Sequence, residues 1–323
     1  MKRIICITLC FLLFFSLCGC GYQKALYRSG SEYIVASIGF DRTPKGLNVI
    51  LEAVIINSED SGTDKKTELL KGTGENTDTA FADAIKSATE PVMLSHLGIA
   101  VLGESLSAND FDNIMDWFYY RRDTTLSAFF VTCETAEELL SCETVSSVAV
   151  GYDLVGLLEQ NSNETGAKLK NRFFQLKSQE SRKSSTLALP YFTVSDQSFN
   201  LNGMAVYENS LPVLYLENEQ AFCYSLSRDI QNEGTVILWG EKLNITSCNT
   251  RYQLNGDTLE IKISLKNKEN STPTEKIRFG ITELYNSSSQ RNIDIFGIEN
   301  IIYSRKNQFS TLQDYKIRVI INE

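Results

Sequence analysis

Cys20 has the surroundings that specify the most definite chemistry. It closes Leu17-Cys18-Gly19-Cys20, directly after an uncharged apolar run from Ile4 to Cys18 that Lys2 and Arg3 precede. That is the n-region and h-region of an export signal, too short for a comfortable membrane span. The small residue before Cys20 is what a lipoprotein signal peptidase needs to leave this cysteine as a new N-terminus, its sulfur carrying a diacylglyceryl anchor with palmitate-type chains. Two acyl chains hold a protein stably at a membrane surface, because each buried methylene contributes ~0.8 kcal/mol. An ordinary signal peptide with an incidental cysteine, or an uncleaved anchor, remains the alternative.

Other reactive residue types are sparse. His96 is the single histidine and falls just before the apolar stretch Leu97 to Leu102. No G-x-S-x-G or comparable nucleophile context accompanies it, so a packed or hydrogen-bonded structural role is expected. Beyond the leader stand Cys133, Cys142, Cys223 and Cys248. Cys133 and Cys142 flank a short predicted helix, and Cys223 and Cys248 fall in two neighbouring β-like segments. Pairs 133–142 and 223–248 and four buried free thiols are equally open. None of these spacings is C-x-x-C, so no metal is assigned. Asp60 with Asp64, and Glu137 with Glu138, read as surface carboxylates. "GTGEN" lacks the Walker lysine and the further glycine of a dinucleotide fingerprint and reads as a turn before a helix. Trp117-Phe118-Tyr119-Tyr120 beside Arg121-Arg122 reads as core followed by a cationic helix end rather than a base-stacking platform. No cofactor is expected, and no enzyme.

The elements that must position these residues come from a chain of 323 residues, 42% hydrophobic with 5 Pro, which is a globular composition with room for two or three domains. Its formal charge of −9 makes it a poor nucleic-acid binder, so no nucleic-acid partner is expected, since counterion release needs a basic surface. "YIVASIGFDRTPKGLNVILEAVIIN" predicts a hairpin turning at Pro44 and Gly46. Thr77 or Asp78 is expected to cap a helix carrying Ala80, Ala84, Ile85 and Ala88, with Pro91 directly after it. A strand around Ile99 leads to a second helix capped by Asn109 or Asp110, then to the buried strand "LSAFFVTC" and a short helix begun by Thr135. A helical segment from Tyr152 to about Ser185 is interrupted by "NSNETG". A strand over Leu187 to Phe192 follows, then two β-like runs around "ENSLP". Asn255-Gly256-Asp257 marks a strong hairpin, "TEKIRFGITELYNSSS" a short helix, and "YKIRVIINE" a closing strand. No internal repeat is present.

The order of these segments resembles the C-subunit lipoproteins of bacterial spore germination receptors, the Ger(x)C type. The lipobox at Cys20 precedes "VASIGFDRTPKGLNVILEAVIIN", which is similar to that family's opening strand pair with its small-x-Gly-x-Asp turn, here Gly39 and Asp41. "GTGENTDTAFADAI", the "SHLGIAVLGESL" strand with His96, "DWFYYRRDTTLSAFFVT" around Arg122 and Asp123, and "TAEELL" follow in order. Gly203, Ala205, Val206, Tyr207, Leu216 and Glu219 match the family's later hairpin. The resemblance covers nearly the whole chain.

It implies an α+β lipoprotein of about three mixed domains, each a mainly antiparallel sheet with packed helices. The divisions are a signal peptide over 1–19, a lipidated tether over 20–32, and domains over 33–151, 152–233 and 234–323, the last shortened relative to the family. It also implies a non-enzymatic receptor subunit on the outer face of the spore inner membrane, assembled with membrane-embedded A and B subunits to trigger germination. Whether it touches the nutrient itself is left open. No catalytic residues transfer; Cys20 is the one site with a chemical role, and Gly39, Asp41, His96, Arg122, Asp123 and Gly203 are expected to matter structurally. A solute-binding lipoprotein of a transporter is the competing reading, with one dominant cleft between two lobes. A surface hydrolase would need a converging nucleophile and base.

Overall fold

The computed structural model of the chain describes residues 31–57, 66–144, 148–161, 171–180, 186–230, 234–268, 273–299, 301–302 and 315–322. Cys20, the leader, and the Asp60 and Asp64 pair lie outside the described residues.

The expected hairpin forms from β1 (Ser31–Thr43) and β2 (Gly46–Asn57), with Pro44 and Lys45 in the turn. Gly46 is required there: its φ is +140°, and a Cβ would sit 2.5 Å from the Gly74 carbonyl oxygen. β3 (Lys66–Gly74) pairs antiparallel with β2, so "GTG" ends a strand where a turn is expected. Its glycines have a packing purpose. A Cβ on Gly72 would fall 2.0 Å from the Ala84 nitrogen, which lets helix α1 (Thr77–Ala84) lie flat on the strand. Asn76 caps α1 through a reciprocal box with Thr79, one residue ahead of the expected Thr77 or Asp78.

On the other side of β1, the short β4 (Val92–Met93) and β5 (Ile99–Gly103) pair with it in parallel. Helix α2 (Ala108–Tyr120) crosses from β5 to the parallel β6 (Phe129–Cys133). Ser107 caps α2, and Asp110 answers it as the reciprocal member of the box. After α3 (Ala136–Leu140), α4 (Val150–Asn161) and α5 (Phe173–Glu180), β7 (Leu187–Ser195) joins β6 in parallel. β8 (Ser198–Glu208) and β9 (Leu211–Leu216) complete the sheet in antiparallel sense. Its order is β3-β2-β1-β5-β6-β7-β8-β9, with β4 also on β1. The long registers are antiparallel, and the centre is parallel. Strands from both sides of residue 151 thus share one sheet.

β5 and β6 are buried along their whole length because helices cover both faces. Ala100, Leu102 and Phe130 meet α1, α2 and α5, whereas Ile99, Val101 and Val131 meet α3 and α4. Phe118 on α2 is fully buried among the rings of Phe40, Trp117, Phe130 and Phe173.

A second sheet, β10 (Gly234–Leu238), β11 (Glu241–Asn255), β12 (Thr258–Asn267) and β13 (Lys316–Asn322), follows helix α6 (Asn218–Ser227). β11 and β12 turn through Gly256 and Asp257 as expected. β13 runs parallel to β12, and the crossover between them contains α7 (Thr274–Gln290), a helix of 17 residues where a short one is expected. Leu259, Ile261, Ile263 and Leu265 alternate inward on β12 to meet α6 and α7. The chain is therefore α+β with mainly antiparallel pairing. Removing the ring in Phe118→Ala should cost about 3–5 kcal/mol of unfolding free energy. Urea titration checks this; a loss below about 1 kcal/mol would mean that α2 is not anchored by this cluster.

Candidate functional site

Among the matched motif positions, Gly39 and Asp41 form a built site, with a helix for its ligand. Asp41 is 5% exposed on β1. Its Oδ1 accepts from the Ala136 N–H and its Oδ2 from the Glu137 N–H, both at 2.9 Å. These are orphan donors of the first turn of α3. Thr135 occupies the N-cap position as expected, yet its side chain makes no capping bond. Gly39 keeps the seat open: a Cβ there would meet Ala136 Cβ and Leu140 Cδ1 at 3.0 Å. A Cβ on Gly103 would fall 1.9 Å from Asp41 Oδ1. Burial raises the Asp41 pKa above the ordinary 3.8, against the two amide bonds that lower it.

Glu52 on β2 repeats the arrangement and was not singled out from the sequence. Its Oε1 accepts from the Val150 N–H at 2.5 Å, and its Oε2 from the Gly151 N–H at 2.8 Å and from Ser37 Oγ at 2.7 Å. It is 1% exposed, and desolvation pushes its pKa above the usual 4.5. The available signal was a lone acid inside the apolar run "VILEAVII". Asp294 does the same for the helical start at Ile298 and Glu299, at 2.7 and 2.8 Å. Asp110, 1% exposed, receives Arg42 Nε at 2.9 Å and a second guanidinium contact. Desolvation works to raise the Asp110 pKa, but the Arg42 and Ser107 bonds outweigh it and hold the group low. All these carboxylate oxygens are engaged in holding the fold.

The remaining positions are dispersed. His96 is exposed in the turn before β5, which corrects the expectation of a packed or bonded histidine: Leu94 and Leu97 take the buried places around it. Arg122 is exposed too. The neighbouring Arg121 instead pairs with Asp123 at 2.5 Å and lies over the rings of Phe81 and Trp117. Trp117 and Phe118 are core, whereas Tyr119 and Tyr120 are exposed. Gly203 lies within β8 with φ +86°, where a Cβ would stand 2.0 Å from the Leu216 carbonyl oxygen. Glu137 is half-exposed and binds Lys71 at 2.6 Å, and Glu138 is exposed.

Cys133, Cys142, Cys223 and Cys248 are buried free thiols. Cys223 belongs to α6 rather than to a β-like segment, because the apolar run breaks at Glu217 and the next residues are buried around the whole helix. Burial drives the Cys133 thiol well above its ordinary value, Cys223 up to about 12 and Cys248 up to about 11. They are protonated at neutral pH, a poor state for nucleophile or metal ligand. Among the described residues no three His, Cys, Asp or Glu side chains group as a metal site. Likewise, no helix among the described residues is long and apolar enough to cross a membrane.

The Gly39-x-Asp41 strand end, with its carboxylate seated under α3, lies within residues 32–194. Those are the residues matched by the family described as "Spore germination protein N-terminal domain". The chain belongs to this family, the Ger(x)C type. Similarity extends to spore germination protein GerQC of Bacillus cereus, 22% identical over 182 residues, which is 56% of this chain. The match spans about half (50%) of that relative's length. A crystal structure of the GerBC protein aligns with 88% of this chain and 95% of its own, at 10% identity and a TM-score of 0.45.

Two outcomes test the reading of this Ger(x)C site as structural. Asp41→Ala strands two buried N–H groups and should cost about 1–3 kcal/mol, whereas Arg122→Ala should change stability by less than about 0.5 kcal/mol. Thermal or urea unfolding separates them, and equal effects would sink the assignment. The second concerns pH. Asp41 and Glu52 titrate higher folded than unfolded, so the stability they contribute is fully present below the ordinary values, 3.8 and 4.5, and is lost as pH rises through the raised ones. Urea titrations between about pH 4 and about pH 7 should show the wild type losing stability relative to an Asp41→Asn, Glu52→Gln double variant. A relative gain would contradict the burial argument.

Proposed function

We propose that the chain is the C subunit of a spore germinant receptor, a non-enzymatic lipoprotein held by diacylglyceryl-Cys20 on the outer face of the spore inner membrane. In this reading a leader of residues 1–19 is removed. The body then runs from the tether, residues 20–32, through residues 33–151 and 152–233, whose strands share the large sheet, to the shortened unit of residues 234–323. It assembles with membrane-embedded A and B subunits and acts through contacts rather than chemistry. The observation that carries the reading is membership of the germination family across residues 32–194. The site supports it: Gly39, Asp41 and Glu52 spend their chemistry on seating helices, and the buried thiols are held protonated.

Spores carrying Cys20→Ala, or lacking the protein, test the reading on a panel of amino acids, sugars and nucleosides. Calcium dipicolinate serves as a receptor-independent control. The expected outcome is loss of one or more nutrient responses with the control response intact. Unchanged germination on every nutrient together with a transport defect would favour a solute-binding lipoprotein instead.

A further inference from the structure

A groove of about 760 Å³ lies between α6 and α7, and the seating of helices does not explain it. Seven of its lining residues lie on α7 between Glu275 and Ser287, a stripe about 18 Å long at the helical rise. That is room for about three turns of a helix, longer than a single small nutrient molecule would fill.

The groove is built rather than incidental. Gly280 permits α7 to close on α6, since a Cβ there would fall 2.7 Å from Cys223 Sγ. Beside it Phe279 stands 68% exposed on the same face, with Leu284 and Cys223 below it. Trp239 forms the opposite wall from a strained position. It leads the two-residue turn between β10 and β11 with φ +52°, followed by Gly240 at +74°. Both angles are those of a type I′ turn, where Asn-Gly is favoured and a bulky residue is an outlier. Strain of this kind is kept where a side chain must be aimed. The Trp239 N–H donates to Glu219 Oε1 at 3.3 Å, which ties the turn to α6.

The rim is acidic. Glu219, Glu275 and Glu283 face the groove against Lys276, whose Nζ is already held by Glu241 at 2.7 Å. Glu275 also meets Arg278, one turn on, at 2.5 Å. An anionic bilayer or a nucleic acid would be repelled by this rim, whereas a lysine- or arginine-bearing segment with an apolar face matches both wall and rim.

We infer that the groove between α6 and α7 docks a basic amphipathic segment of a partner protein. Resting on the receptor reading, this gives the chemistry of the surface through which the subunit engages its assembly.

The test uses the full chain and three labelled peptides of about 14 residues: a Leu/Lys amphipathic helix, its Leu/Glu counterpart and a Lys/Ser peptide. Fluorescence anisotropy should show binding by the Leu/Lys peptide alone. Trp239→Asn relieves the turn and Phe279→Ser removes an exposed ring. Each should weaken binding at least about tenfold, with a melting temperature unchanged or, for Trp239→Asn, raised. Equal binding by the Lys/Ser peptide, undiminished binding by both variants, or no binding of the Leu/Lys peptide would overturn the proposal. Spores carrying both substitutions should lose the nutrient responses lost in the deletion strain. Wild-type germination by the double variant beside a defective deletion strain would overturn the groove and leave the receptor reading standing. If the deletion strain germinates normally, the receptor reading falls, and the peptide titration still decides the groove.

Discussion

Two carboxylates inside one sheet, Asp41 and Glu52, hold the first turns of α3 and α4 from below. The need for them follows from the strand order. β1 lies between β2 and β5 in a sheet with helices on both faces, so one face must receive α3 and α4 in a fixed position. Buried amides at a helix start need acceptors, and a short helix such as α3 has little stability of its own. Placing the acceptor on the strand rather than on the helix makes capping and docking one event. The glycines at 39, 72, 74 and 103 serve the same end by removing side chains from the contact planes.

That economy bears on function. Among the described residues, Asp41, Glu52, Asp110 and Asp294 are committed to internal contacts, and the four cysteines are buried. The described surface of this acidic chain carries a groove walled by Trp239 and Phe279. The core beneath α6 and α7 also includes Ala188, Met204, Val206 and Leu216 of β7–β9. A force or a partner acting at α6 and α7 therefore bears directly on the edge of the large sheet.

Local signals were legible where local chemistry decides. The Pro44 hairpin, the turn at Gly256, the inward alternation of β12, and helices α1 to α3 follow from turn residues and periodicity. Even the family motif pointed at Gly39 and Asp41 before their purpose was visible. Legibility failed where a residue's partner is distant in sequence. Thr135 marks the start of α3, but the capping oxygens come from Asp41, more than ninety positions earlier. β3 was hidden because an edge strand with glycines facing a helix has little apolar alternation.

The amino-acid sequence by itself determined the acidic balance that disfavours nucleic acid, the α+β alternation and the family, and it is the sole ground for expecting an export signal before Cys20. Only the tertiary structure decided that the middle of the sheet is parallel, that Glu52 is buried beneath α4, that His96 faces solvent and that Arg121 rather than Arg122 pairs with Asp123. The physical reason is the range of the forces. Backbone dihedral preferences and hydrophobic periods act within a few residues, whereas the desolvation of a carboxylate and the amides that compensate it depend on which strands and helices become neighbours.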